Sequence, residues 1–170
     1  MAIAPACAQD FKDFDTRGLP RSRGMVVRVS HPPAWKKVET DDEMALAELR
    51  GPQGKLTGIL QIGRGGPRKD TETLCRPERA QTMLTGLEAQ DSGTRVTDVF
   101  YRKHQGRPAY ELRYVRNDAG TFMLVRSVIV CLKDSQLLVS CGAVGPAKAA
   151  LAAIEPVCKR VLESLAVSED

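Results

Sequence analysis

Apolar residues along this chain recur mostly at every second position, and in two stretches at every third or fourth. Met25-Val26-Val27-Arg28-Val29-Ser30 is a short β-rich run. It stops at His31-Pro32-Pro33, because proline removes a ladder donor and restricts the residue before it. The chain from Ala34 to Glu39 resumes as an extended segment, and Lys55 to Ile62 reads as a strand. The stretch from Asp41 to Arg50 has helical propensity, with acidic residues first and a glycine just past its end. Yet Gly51-Pro52-Gln53-Gly54 is a strong turn. A one-turn helix before it would leave the following strand without a neighbour, so a hairpin is expected.

The clearest helix starts at Pro77. Ala80, Met83, Leu84 and Leu87 fall on one face, and the pattern ends near Asp91-Ser92-Gly93. A meander of strands follows, over 94–101, 109–115, 122–132 and 137–141, with turns at His104-Gln105-Gly106-Arg107, Asn117-Asp118-Ala119-Gly120 and Lys133-Asp134-Ser135-Gln136. The 122–132 run is apolar nearly throughout, as in an inner strand covered on both faces. Gly145-Pro146 opens a last helix, in which Leu151, Ile154, Cys158, Val161 and Leu165 share a face and Pro156 is expected to kink or split the run. A meander gives an antiparallel sheet, and each helix needs a sheet face to cover. The expected class is α+β, an antiparallel sheet with helices on both faces in an α/β/α sandwich. The expected organisation is residues 1–8 as the remnant of a signal peptide, 9–23 as a polar lead-in, 24–166 as a single domain and 167–170 as a tail.

Gly24-Met25-Val26-Val27-Arg28-Val29 followed by Pro33-Ala34-Trp35 resembles the opening of PsbP/Mog-type and DcrB-like proteins. Those chains run strand, Pro-x-Trp element, hairpin, helix, strand meander and closing helix. The resemblance supports the hairpin and implies the sandwich. It implies little about activity, since one fold serves photosystem assembly, nuclear transport and accessories of bacterial secretion. The cysteines are not part of that pattern.

The composition narrows the classes. No apolar run reaches the roughly 20 residues that a membrane-spanning helix needs. The net charge is +4, from 25 basic and 21 acidic residues, and the basic ones are dispersed. Nucleic-acid binders concentrate them on one face, so no nucleic-acid partner is expected. Ala6-Cys7-Ala8 before the polar start at Gln9 fits a signal-peptidase site. Cutting there removes Cys7 and leaves an even set, Cys75, Cys131, Cys141 and Cys158. Both features point to a periplasmic or secreted chain. Cys158 shares the apolar face of the last helix with Ile154 and Val161, and Cys141 ends the strand before it. A helix returning over the sheet brings these two together, so Cys141–Cys158 is expected and, by elimination, Cys75–Cys131.

Little chemistry stands out. His31 and His104, the two histidines, sit at turns without a metal-ligand spacing and are expected to be exposed. No Gly-x-Ser-x-Gly elbow occurs. Cys75 beside Arg76 has the setting of an activated thiol, but in an oxidising compartment it reads as a disulfide half. Gly63-Arg64-Gly65-Gly66-Pro67-Arg68-Lys69 lacks the Gly-Lys-Ser/Thr ending of a phosphate loop, and Pro67 removes an amide. It reads instead as a basic loop, with Arg64, Arg68 and Lys69 as candidate contacts for an acidic protein. Trp35 reads as a buried residue at the edge of the core and, in the sharper alternative, as a candidate interface anchor. The expectation is an exported, non-enzymatic protein-binding domain with no cofactor or metal. In its specific form it is an immunity or accessory protein of a bacterial type VI secretion system that occludes a toxin. The alternatives are an envelope ligand-binding protein and a cytoplasmic effector chaperone.

Overall fold

The computed structural model describes residues 10–65, 75–90, 93–146 and 148–169. Its strands are β1 (Lys12–Asp15), β2 (Met25–His31), β3 (Lys36–Val38), β4 (Ala45–Gln53), β5 (Leu56–Arg64), β6 (Thr94–His104), β7 (Arg107–Asp118), β8 (Thr121–Cys131), β9 (Gln136–Gly145) and β10 (Ala166–Glu169). The helices are α1 (Ala80–Gln90), preceded by a 3-10 turn at Pro77–Arg79, and α2 (Glu155–Glu163), preceded by a 3-10 segment at Lys148–Ile154. A seven-stranded antiparallel sheet has the order β3-β4-β5-β9-β8-β7-β6, and a three-stranded sheet has the order β1-β2-β10. This is the α+β class.

The hairpin turns are written in the local sequence. His104 pairs with Arg107 across Gln105-Gly106, both with positive φ, and Asp118 pairs with Thr121 across Ala119-Gly120, again both positive. Two-residue turns of this kind match the right-handed twist of the strands they join.

Register assigns the faces of the large sheet. Leu60, Cys141, Arg126 and Arg113 stand side by side across β5, β9, β8 and β7. One residue along, Gln61, Ser140, Ser127 and Leu112 form a row on the opposite face. The first face takes α2, whose Cys158, Val161 and Leu162 are buried with Leu60, Val128, Val139 and Cys141. Met25, Val27 and Val29 of β2 enter the same core. On the other face α1 lies at the β6–β7 end, where Ala80 and Met83 pack with Val99, Tyr101, Tyr110 and Ile129. Among the described residues that helix reaches no farther than this end, so helical cover of the second face is partial.

Several expectations change. The lead-in contains β1, and the tail belongs to β10; both pair with β2. Phe11, Phe14 and Val167 join the core, so the segments over residues 11–15 and 166–169 are part of the packed structure. The β4–β5 turn is Gly54-Lys55, since Gln53 pairs with Leu56. Gly51 and Pro52 stand inside β4 instead. Pro52 is tolerated there because β3 pairs with β4 only over Glu48 to Arg50, leaving no partner for its missing N–H. The last helical run is split as expected, into the 3-10 segment and α2, and Pro156 lies in the first turn of α2, where a missing N–H costs nothing. His31 is 6% exposed, with Nδ1 2.8 Å from the Pro32 carbonyl oxygen, and is not an exposed turn residue.

Candidate functional site

Arg64 closes β5, and its backbone N–H donates to the Met44 carbonyl at 2.9 Å. The next residue, Gly65, donates to the Gln136 carbonyl at 2.8 Å. These two bonds hold the end of β5 between the start of β4 and the β8–β9 turn. The Arg64 side chain then turns inward. Its Nε donates to Ser135 Oγ at 3.3 Å, its Nη1 donates to the Ser22 carbonyl at 3.3 Å, and Asp134 lies 4.0 Å from Nη2. Ser22 and Ser135 are buried, so a guanidinium on this edge satisfies groups that water does not reach.

The segment before β2 supplies the other wall. Thr16, fully buried, donates to the Met25 carbonyl at 3.2 Å and accepts from Val27 N–H at 3.0 Å. Ser22 Oγ donates to the Leu19 carbonyl at 2.8 Å. Arg21 reaches across to the carbonyls of Asp42, at 2.8 Å, and Ala45, at 3.3 Å. Arg23, at φ +48°, and Gly24, at φ +82°, then reverse the chain into β2.

Between these walls is a cleft of about 640 Å³ lined by Arg21, Arg23, Glu43, Met44, Arg64 and Asp134 among others. A second hollow of about 290 Å³ shares Arg23, Arg64 and Asp134 with it and adds Lys133 and Glu169. The joint surface carries four cations, Arg21, Arg23, Arg64 and Lys133, and three anions, Glu43, Asp134 and Glu169. Glu169 is committed to Arg107 at 3.6 Å. Arg23 and Lys133 are exposed and have no side-chain partner among the described residues. Met44, beside them, is 58% exposed. Arginine and methionine are enriched at protein contacts, whereas lysine, aspartate and glutamate, also present here, are depleted. Lines of like charge, as for a polyanion, are absent among these residues.

Of the residues read from the sequence as contacts, Arg64 is thus central to a cleft. Arg68 and Lys69 lie outside the described residues. Trp35 is a correction: it is 1% exposed and lies over the glycine pair Gly51 and Gly58, in the core behind β4 and β5. A Cβ on Gly58 would sit 2.1 Å from Trp35 Cζ2, and one on Gly51 would sit 2.7 Å from Trp35 Cα. These glycines are the bed of the indole ring, and a ring so enclosed cannot anchor a partner. The disulfides Cys75–Cys131 and Cys141–Cys158 are both present. Cys75 therefore carries no free thiol. His31 and His104 lie on different sheets, and no cluster with metal-binding composition occurs among the described residues. Sequence reasoning missed Arg21, Arg23, Met44 and Lys133. The signal available for them was weak, since each is separated from Arg64 along the chain and only folding brings them together.

No family model matches the chain, and no curated protein matches it. Solved structures do match in fold. LpqN of Mycobacterium tuberculosis, involved in cell envelope biogenesis, is 12% identical with a TM-score of 0.60, over 93% of this chain and 91% of its own. A protein of unknown function from Pseudomonas aeruginosa is 18% identical with a TM-score of 0.57, over 82% of this chain and 90% of its own. The Ran-binding protein Mog1p of Saccharomyces cerevisiae is 10% identical with a TM-score of 0.53, over 94% of this chain and 96% of its own. The chain has the PsbP/Mog-type fold.

Proposed function

We propose that this chain is an extracytoplasmic protein-binding domain, with no catalytic activity of its own, that docks a partner at the Arg64 cleft. The observation that carries the reading is the cleft itself: a pre-formed surface in which Arg64 is held by Ser22 and Ser135 beside exposed Met44 and the cations Arg23 and Lys133, which have no side-chain partner among the described residues. Two disulfides support the compartment, because such bonds persist where the surroundings are oxidising. No helix among the described residues is long and apolar enough to cross a membrane. One neighbour in fold is Ran-binding and another takes part in envelope biogenesis, and a protein-docking envelope domain is in keeping with both. The specific form we propose is an accessory or immunity protein of a bacterial type VI secretion system that covers a toxin's cleft. A rigid, crosslinked domain can do so by occlusion alone.

The experiment is crosslinking mass spectrometry in envelope extracts of the source cells, followed by association kinetics with the partner it identifies. Arg23→Glu and Lys133→Glu are preferred to Arg64→Glu, which would also break the hold on Ser22 and Ser135. Exposed charges steer encounter, so the double variant should associate about tenfold more slowly at low salt, with a smaller change in dissociation. Unchanged association would remove the cleft from the interface. A partner with toxic activity that this chain fails to inhibit would defeat the occlusion reading while leaving the docking reading intact.

A further inference from the structure

A separate hollow of about 430 Å³ opens on the α2 face of the large sheet, and none of its lining residues belongs to the Arg64 cleft. Its floor follows from register. Val115 on β7 stands between Arg95 on β6 and Leu124 on β8, and Phe122 lies across from Asn117 at the end of the same hairpin. Ala152 and Lys148, from the 3-10 segment before α2, line it from above, and Gly93, Thr97, Arg113 and Glu155 complete the lining. Pockets of roughly 300–1,000 Å³ with an apolar lining and a few polar groups are the usual size for small molecules.

The charges around it are unequal. Arg113 is committed, 2.6 Å from Glu155 and 3.7 Å from Asp98. Glu155, the one carboxylate in the lining, is spent on Arg113 and also lies 3.9 Å from Arg126. Arg95 and Lys148 are exposed and have no side-chain ion pair or hydrogen bond among the described residues. A hollow with an apolar floor therefore carries at its rim two cations that have no counter-charge among the described residues. A neutral apolar ligand would leave both without a counter-charge, and a small inorganic anion would leave the floor unused. We infer that this hollow binds a small anionic amphiphile, a medium-chain carboxylate in chemical terms. Its chain would lie on Val115, Phe122, Leu124 and Ala152, and its head would meet Arg95 and Lys148. The inference does not rest on the protein-docking reading.

The test is calorimetric titration of the full chain with octanoate, with octanol as the neutral counterpart. Octanoate should saturate a single site and weaken with added salt, and octanol should bind at least about tenfold more weakly, as the loss of charge-assisted bonds requires. Arg95→Glu with Lys148→Glu should cost octanoate at least about tenfold, and Ala152→Trp, which fills the hollow, should abolish binding. All three positions are exposed, and unfolding midpoints will show that the variants fold. On the unmodified protein, methyl NMR shifts caused by octanoate should centre on Val115, Leu124 and Ala152. No saturable heat, equal affinity in the charge variants, or shifts centred elsewhere would overturn the proposal.

Discussion

Removing the two crosslinks separately distinguishes loop closure from packing as the source of their effect. Cys141–Cys158 spans 17 residues of sequence and Cys75–Cys131 spans 56. In the chain-entropy model these loops restrict the unfolded chain by about 3 and about 4 kcal/mol, respectively. Packing gives the reverse order. Cys141 and Cys158 are 0% and 1% exposed within the main core, whereas Cys75 and Cys131 are 6% and 5% exposed in the smaller cluster under α1. Substitution by alanine mixes the two effects, because it opens cavities as well as the loop. The clean comparison uses each double-alanine variant with its remaining disulfide oxidised and then reduced. Cavities cancel in that difference, and only the remaining crosslink changes. In Cys141→Ala/Cys158→Ala, reduction should cost about 4 kcal/mol; in Cys75→Ala/Cys131→Ala it should cost about 3. Urea unfolding reads both, and the slope should rise on reduction as the unfolded chain expands. The two together amount to about 7 kcal/mol, a large part of a typical domain stability of about 5–15 kcal/mol. A reduction cost for the short loop that equals or exceeds that for the long one would refute loop length as the governing quantity.

Two further predictions concern stability. Gly58→Ala places a methyl group against the enclosed Trp35 ring and should cost about 1–3 kcal/mol by overpacking, while Gly86→Ala, in α1 with nothing within 4 Å of the added carbon, should stabilise by roughly 0.5–1 kcal/mol. Urea midpoints of the two variants should move in opposite directions. His104 is held below its ordinary pKa of 6.5 by burial and by the charges of Arg102 and Arg107, against a backbone hydrogen bond at Leu165. The unfolded chain therefore binds a proton that the folded chain does not, over the interval between the folded and unfolded values. Its contribution is present above about pH 6.5, is lost as pH falls below it, and levels off beneath the folded pKa. His104→Gln should flatten that part of the stability–pH curve, and an unchanged curve would remove His104 as its source.

Legibility of the fold in the sequence depended on how local each cause was. The turns at Gln105-Gly106 and Ala119-Gly120 and the strands beside them are set within a few residues, and their register follows from the turn. The proline that opens the 3-10 turn leading into α1 is equally local. β1 and β10 were not legible because their reason is elsewhere. Lys12-Asp13-Phe14-Asp15 has one apolar residue, and Ala166-Val167-Ser168-Glu169 is too short for a period to show. Both exist because β2 offers them two free edges. Gly51 misled for the opposite reason. Its local signal, glycine before proline, is that of a turn, but its need for a bare Cα comes from Trp35, packed against it from outside the hairpin.

The same distinction governs the sites. Arg64 was legible because glycines flank it and basic residues follow, a composition that marks a loop or its edge. What makes it a candidate contact was not. The guanidinium is aimed by Ser22 before β2 and by Ser135 in the β8–β9 turn, and neither can be tied to Arg64 from sequence. The hollow at Arg95 and Lys148 is less legible still. Arg95 looks like the solvent-side residue of an alternating strand until the irregularity between Val96 and Asp98 puts both Arg95 and Asp98 in rows on the α2 face. That shift gives Arg113 an acidic neighbour in Asp98 and, among the described residues, leaves Arg95 without one. The unpaired charge that motivates a ligand there is thus a product of one extra residue in an edge strand, and so is the pairing that keeps Arg113 from serving the same purpose.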